Sequence, residues 1–439
     1  MKKKYIILSI ITLVLLIAFV TSFNYFKTKN DYVEDNVNNQ TKITKGISMN
    51  LEQTAGAGDY KTVTQSGWPT EGYKFNTELS RCENGSTLSW DDTKKAVIVS
   101  GNLSDKCYVY FDIIPPITLA EYVISQYTGN QGDNALYYHT STLTNGAGDN
   151  SYRYAGANPN NYVCFGSDAS PCPEDNLYRI IGVFGNQVKL IKATIAKSNL
   201  LGTDGAYRSD TSYNWSLFNS CPSSTAYNSS NGIYQLANKN IIAAPDVTNG
   251  CNEWNYSDLN TTNLNTNFIN NIGTAWAEKI ATTIWKVGGG YWANIATSVP
   301  KTAYQYEVGS NSRTTTYDAK IGLMYVSDYY YSTSPSAWTL VGYNESDETK
   351  DYRAAKTTNW LYLGSDEWTI SRNSTSTGNA FIVTSTGFVY NYGVTNSYAV
   401  RPSFNLLSSV TYASGSGTSS APIPVSYTHL RAHETLMNL

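Results

Sequence analysis

His139, in Tyr137-Tyr-His-Thr140, is the one histidine before residue 425; the other two are His429 and His433. One imidazole cannot build a metal cluster, and a nucleophile triad would need a partner that the sequence does not display. Carboxylates are the next candidates. Asp328 follows Val326-Ser327 at the end of an expected strand, and Glu307 is expected to end a strand near Tyr304 and Tyr306. Two carboxyls on facing elements are the machinery of glycoside hydrolysis, but among 34 acidic residues such pairs arise freely. Gly288-Gly-Gly290 has no Lys-Ser/Thr after it, so it is no phosphate loop, and no calcium-loop spacing occurs. No catalytic residue, metal or cofactor is therefore expected, and enzymatic activity stays an open alternative.

Aromatic side chains carry the stronger expectation. The chain has 36 Tyr and 10 Trp. Tyr329, Tyr330, Tyr331, Trp338 and Trp360 lie on what read as long loops. Rigid aromatics on loops give contact area at low entropy cost, and sugar rings stack on such faces. These five are expected to line one open groove and to meet a ligand there. The plainer alternative is that they fill the interior of a loop-rich domain, since Trp is highly buried on average.

The elements that must position them start from Leu177-Tyr-Arg-Ile-Ile-Gly-Val-Phe184 and Gln187-Val-Lys-Leu-Ile-Lys192, flanking Gly185-Asn186. This pattern predicts a hairpin, and the almost wholly apolar first run predicts a strand in the middle of a sheet. Upstream, residues 46–113 read as a small β module, with strands at Tyr73-Lys-Phe75, Leu88-Ser-Trp90, Ala96-Val-Ile-Val99 and Cys107-Tyr-Val-Tyr-Phe111. Pro115-Pro116 marks its end. Thr118-Leu-Ala-Glu121 opens a helix as a capping box. Residues 130–175 and 200–256 read as loop-rich. Leu264, Phe268 and Ile272 predict one helix, and Trp276, Ile280, Ile284 and Val287 a second that ends at Gly288. Strands are expected at 320–326, 368–370, 381–383, 388–390 and 398–404. The fold class is thus α+β and β-dominated, with a mostly antiparallel sheet in a large domain over residues 117–422.

Met1-Lys-Lys-Lys4 precedes an apolar run over residues 5–23, just long enough to cross a bilayer. It is expected to act as a single-pass anchor over residues 1–23, with the bulk outside the cell membrane; a cleaved signal peptide is the alternative. Residues 24–45 suit a polar stalk. Six cysteines fit an oxidising compartment, and sequence locality pairs Cys82 with Cys107, Cys164 with Cys172 and Cys221 with Cys251. Cys-x-x-Cys is absent. Charged residues are 15% and the net charge is −3 with no basic block, which argues against nucleic acid as a partner. Val425-Ser-Tyr-Thr-His-Leu-Arg-Ala-His-Glu-Thr435 looks like a translated sequencing-library adapter, so residues 425–439 are set aside as artefact.

Two groups of motifs resemble a known family. Cys82-Glu-Asn-Gly-Ser86, Trp90 and Ser104-Asp-Lys-Cys-Tyr-Val-Tyr-Phe111 resemble a small repeat module of surface proteins from anaerobic Gram-positive bacteria. Arg153-Tyr-Ala-Gly-Ala157, Asn161-Tyr-Val-Cys-Phe-Gly166, Leu177-Tyr-Arg-Ile-Ile-Gly182, Lys320-Ile-Gly-Leu-Met-Tyr-Val-Ser-Asp-Tyr329 and Val400-Arg-Pro402 resemble the uncharacterised domain often attached to it. The resemblance spans about residues 70–422. It implies a distantly C-type-lectin-like fold, shared with formylglycine-generating enzymes and with variable ligand-binding proteins. It does not imply an activity. Cys164 and Cys172 stand too close in sequence to mimic the catalytic thiols of those enzymes. Family members close with a segment like Ser414-Gly-Ser-Gly-Thr-Ser419 and then a last strand, which the adapter-like tail is expected to replace. Together these features imply a membrane-anchored extracellular surface protein that binds a glycan or protein ligand. An Asp/Glu-dependent envelope hydrolase and a structural or pilus-like component are the alternatives. The sequence does not identify the ligand, the oligomeric state or the true C-terminus.

Overall fold

The computed structural model describes residues 46–425, apart from 65–66, 70–71, 103, 130–134, 208–226, 229–232, 237–238, 243–251 and 377. The expected anchor, stalk, Cys221–Cys251 pair and residues 426–439 lie outside the described residues. Among the described residues no helix is long and apolar enough to cross a membrane. Two compact units meet at Pro116–Ile117.

The first unit is a β module. Strands β1 (Ile47–Glu52), β2 (Tyr60–Val63), β3 (Tyr73–Phe75), β4 (Arg81–Cys82) and β7 (Cys107–Ile113) form one sheet, and β5 (Thr87–Asp91) with β6 (Ala96–Ser100) forms a hairpin. The last strand, β7, is central. It runs parallel to β1, with Ile47 opposite Cys107 and Leu51 opposite Phe111. β3 and β4 take its other edge, antiparallel. Along β7 burial alternates with period two, as a half-covered strand requires. Cys107, Val109 and Phe111 are buried, and Val109 and Phe111 meet Met49, Leu51 and Val97. Such a core is small, and the Cys82–Cys107 disulfide staples it.

The second unit is built on β11 (Leu177–Phe184), the strand expected at the centre, and six of its eight residues are buried. Both its edges are taken. β12 (Gln187–Lys192) pairs along one. On the other, β10 (Tyr162–Cys164) pairs with its first half and β9 (Tyr152–Ala155) with its second. The sheet continues through β22 (Ser403–Asn405) to β18 (Ile321–Gly322), and outward through β8 (Ala135–Tyr138) and β23 (Ile423–Pro424). Gly182 is where β9 comes closest: a Cβ there would lie 2.2 Å from the Tyr152 carbonyl oxygen. The Cys164–Cys172 disulfide closes the loop after β10. Helix α1 (Leu119–Ser125) has the expected Thr118/Glu121 capping box and buries Leu119, Ala120 and Val123. Smaller sheets comprise β13 (Tyr227–Asn228), β14 (Ile233–Leu236) and β15 (Lys239–Ile242); β16 (Thr283–Lys286) and β17 (Thr316–Ala319); and β19 (Glu367–Arg372), β20 (Asn379–Val383) and β21 (Val389–Gly393). The described fold is thus β-dominated α+β, with mostly antiparallel sheets.

Several expectations are corrected. Residues 130–175 carry three strands, β8 to β10. The helix expected through Ile284 and Val287 stops at Ala277. The run Thr282-Thr-Ile284 is β-branched, so 283–286 pairs as a strand, with Trp285 buried and Ile284 68% exposed. The strand expected through Val326 ends at Gly322, and α3 (Val326–Tyr331) is helical. Glu307 ends helix α2 (Pro300–Glu307), which starts on proline at its first turn. The helix carrying Leu264 and Phe268 is present, but residues Leu259–Phe268 are wound as a π-helix. A last strand also forms: Ile423 and Pro424 pair parallel with β10, and Val425 donates to the Cys164 carbonyl.

Candidate functional site

The five aromatics expected to contact ligand are interior. Tyr329, Tyr330, Tyr331 and Trp338 are at most 1% exposed, and Trp360 is 5% exposed. The tyrosines are consecutive on α3, so covering them takes packing on every side. Each hydroxyl finds a backbone carbonyl: Tyr329 donates to Gly387, Tyr330 to Ile295 and Tyr331 to Asn145. Trp360 donates Nε1–H to the Tyr154 carbonyl and stacks on the Arg179 guanidinium, which Tyr162 covers on its other side. His139 is also fully buried, between Tyr331 and Trp338, and its Nδ1 accepts from Ala147 N–H. Burial holds its imidazole well below its ordinary pKa, reinforced by the Arg153 charge. No cluster of metal-ligating side chains occurs among the described residues.

The aromatics that reach solvent lie elsewhere, along β21. Val389 points into the core, so by strand alternation Phe388, Tyr390 and Tyr392 share the opposite face. Their rings follow one another at 6.1 and 5.3 Å. Tyr343 joins the row at 5.1 Å from Phe388 and 5.2 Å from Tyr390. Trp292 sits 4.7 Å from Tyr390, and Tyr398 continues the row 5.8 Å beyond Tyr392. All six rings are partly open to solvent, and Tyr392 is 37% exposed. Over strand spacing the rings of Phe388, just before β21, and of Tyr390 and Tyr392 alone span about 13 Å. At the Tyr343 end, the Arg353 guanidinium lies over Tyr343 and Phe388 at 5.5 and 5.2 Å. Asp351, Glu348 and the Asn344 carbonyl hold it in place. Neighbouring rings meet edge-on or tilted, at 88° for Phe388–Tyr390, 46° for Tyr390–Tyr392 and 59° for Tyr392–Tyr398, so the row is a ridged aromatic strip with a fixed polar group at one end. It offers contact area and no reacting group.

A second feature is a cleft of about 250 Å³ at the end of β12. Phe184, Trp285, Tyr304 and Tyr325 wall it, with the charged residues Asp149, Arg153, Lys189, Lys286 and Asp328 among its lining. Lys189 Nζ is 2.5 Å from Asp328 Oδ2; Arg153 stands 3.5 Å from Asp328 Oδ1 and 2.6 Å from Asp149. Burial works against the Asp149 charge, but Arg153 and Ser151 overcome it and hold the carboxyl well below the usual range. Burial pushes the Lys189 ammonium down, against the pull of Asp328. Glu307 lies beneath the start of α3, where Val326 N–H, Ser327 N–H and the Ser371 hydroxyl donate to it; burial still raises its carboxyl above the usual range. Asp328 and Glu307 are thus brought near one another, as paired carboxylates would require. Each is 2% exposed and committed to fixed partners. The cleft carboxylates, Asp149 and Asp328, share one guanidinium, that of Arg153.

Sequence reasoning missed Arg153, Lys189 and the β21 row. The arginines of the family-like motifs, Arg153, Arg179 and Arg401, prove to be interior, and Arg401 pairs with Glu367 through two bonds of 2.7 and 2.8 Å. The available signal was a charge inside an apolar strand, which must bring its partner with it. No family model, curated protein or solved structure matches the chain.

Proposed function

We propose that this chain is an extracellular, membrane-tethered surface protein and that its second unit binds an extended glycan along the β21 ribbon. One observation carries this: six partly exposed rings, Tyr343, Phe388, Tyr390, Trp292, Tyr392 and Tyr398, stand in one connected row. The C–H faces of pyranose rings lose water against such surfaces, and the hydroxyl edges turn to polar groups at the margin, of which Arg353 is one. The local disulfides fit an oxidising exterior.

The test is a glycan array probed with the full-length chain and with a Tyr390→Ala/Tyr392→Ala variant. Wild type is expected to retain a linear glycan. The double variant is expected to lose about 1.4 kcal/mol or more, tenfold or more in affinity, while keeping its fold by circular dichroism. Failure of wild type to bind any glycan, or capture of a protein that the double variant still binds, would overturn the assignment.

A further inference from the structure

The geometry points to a covalent amide cross-link between the side chains of Lys189 and Asp328. They stand 139 residues apart in the chain, on β12 and α3. Lys189 Nζ and Asp328 Oδ2 are 2.5 Å apart, which puts the nitrogen no more than about 3.7 Å from the carboxyl carbon, one C–O bond further. That approaches the separation of about 3–3.5 Å from which bound groups react.

The surroundings favour a neutral bond over an ion pair. The two side chains are 6% and 2% exposed, and the rings of Tyr325, Trp285 and Phe184 enclose the nitrogen at 4.7, 5.4 and 5.7 Å. Two charges in such a shell carry a desolvation cost of several kcal/mol per ion. An amide carries none of it. Charge also stays balanced: Arg153 and Asp149 remain as a pair at 2.6 Å after the other two charges are consumed. Burial lowers the proton affinity of Lys189, so the free amine needed as nucleophile is within reach.

The groups that would assist are in contact with the reacting carboxyl. Tyr325 N–H donates to Oδ2 at 2.9 Å, and Arg153 faces Oδ1 at 3.5 Å, itself held by Asp149 and by the Ser151 hydroxyl. In the first step an ammonium proton passes along the short contact to Oδ2, giving a neutral amine and a neutral acid. The nitrogen lone pair then adds to the carboxyl carbon, and negative charge collects on Oδ1 opposite Arg153. A second proton moves from nitrogen to the Oδ2 hydroxyl. The C–Oδ2 bond breaks, and water leaves into the adjoining cleft. Ammonium plus carboxylate becomes amide plus water, with no oxidant and no cofactor.

The experiment is a peptide map of the full-length protein, reduced, alkylated and digested with trypsin. One branched peptide is expected, joining the segments around Lys189 and Asp328, one water lighter than its two parts and uncut after Lys189. Lys189→Arg and Asp328→Ala proteins should lack it. Recovery of the two linear peptides from folded wild-type protein overturns the proposal, and that result does not depend on whether either variant folds.

Discussion

Replacing Gly182 by alanine tests how tightly the second unit is built around β11. The added Cβ would sit 2.2 Å from the Tyr152 carbonyl oxygen and 3.2 Å from the Arg153 Cα, both backbone atoms on β9. No rotamer change relieves a clash with backbone, so β9 must retreat by more than an ångström. Overpacking of this kind costs about 1–3 kcal/mol. The retreat also weakens the pairing of Gly182 with Arg153 and of Val183 with Tyr152, at about 1 kcal/mol per hydrogen bond. The expected loss is about 3–5 kcal/mol, or roughly 6–15 °C in melting temperature for a unit of this size. Gly393→Ala is the control: its Cβ would meet one side-chain atom at 4.0 Å, and a change within about 0.5 kcal/mol is expected. Urea titrations of the full-length proteins measure both, with unchanged slope required. A Gly182→Ala protein within about 1 kcal/mol of wild type would refute the close approach, and with it the placement of Arg153 at Asp328.

Three further outcomes follow from the buried charges and the staple. Glu367→Gln leaves the Arg401 guanidinium, 3% exposed, without its carboxylate; chemical denaturation should show a loss of about 3–5 kcal/mol, much of it recovered in a Glu367→Leu/Arg401→Met pair. The Asp149 carboxyl titrates lower in the fold than its ordinary value of 3.8. Its stabilising contribution is therefore complete above about pH 4 and fades as pH falls further; thermal melts from pH 7 to pH 3 should fall less steeply for Asp149→Asn than for wild type. Cys82→Ser/Cys107→Ser opens a loop with a sequence separation of 25. It should cost the first unit about 3 kcal/mol, read as earlier proteolysis within residues 46–113.

What could be read from the sequence was decided by how local its cause is. The Gly185-Asn186 turn, the Thr118/Glu121 cap and two disulfides depend on neighbours within a short stretch, and all are present. The central place of β11 was legible because an apolar run must be covered on both faces. Thr283 to Lys286 was misread: its apolar spacing also fits a helix, and only pairing with β17 settles it. The aromatics were misread for a similar reason. Three tyrosines in a row look like a loop surface, yet α3 is roofed on all sides by segments far away in the chain, among them Gly387 and Asn145. The β21 row was visible only as alternation, Phe388, Tyr390, Tyr392, and its flanking rings come from residues 292, 343 and 398. Lys189 and Asp328 gave no joint signal, being 139 residues apart.

The parallel pairing of β1 with β7 bears on how the first unit answers mechanical load. A pull on residue 46 away from residue 114 drags these neighbours in opposite directions along their length. Their paired residues, from Ile47–Cys107 to Leu51–Phe111, must then yield together, not one after another. The module is therefore oriented as a shear clamp. Should that clamp slip, Cys82–Cys107 still ties β7 to β4 and limits how far the chain can pay out.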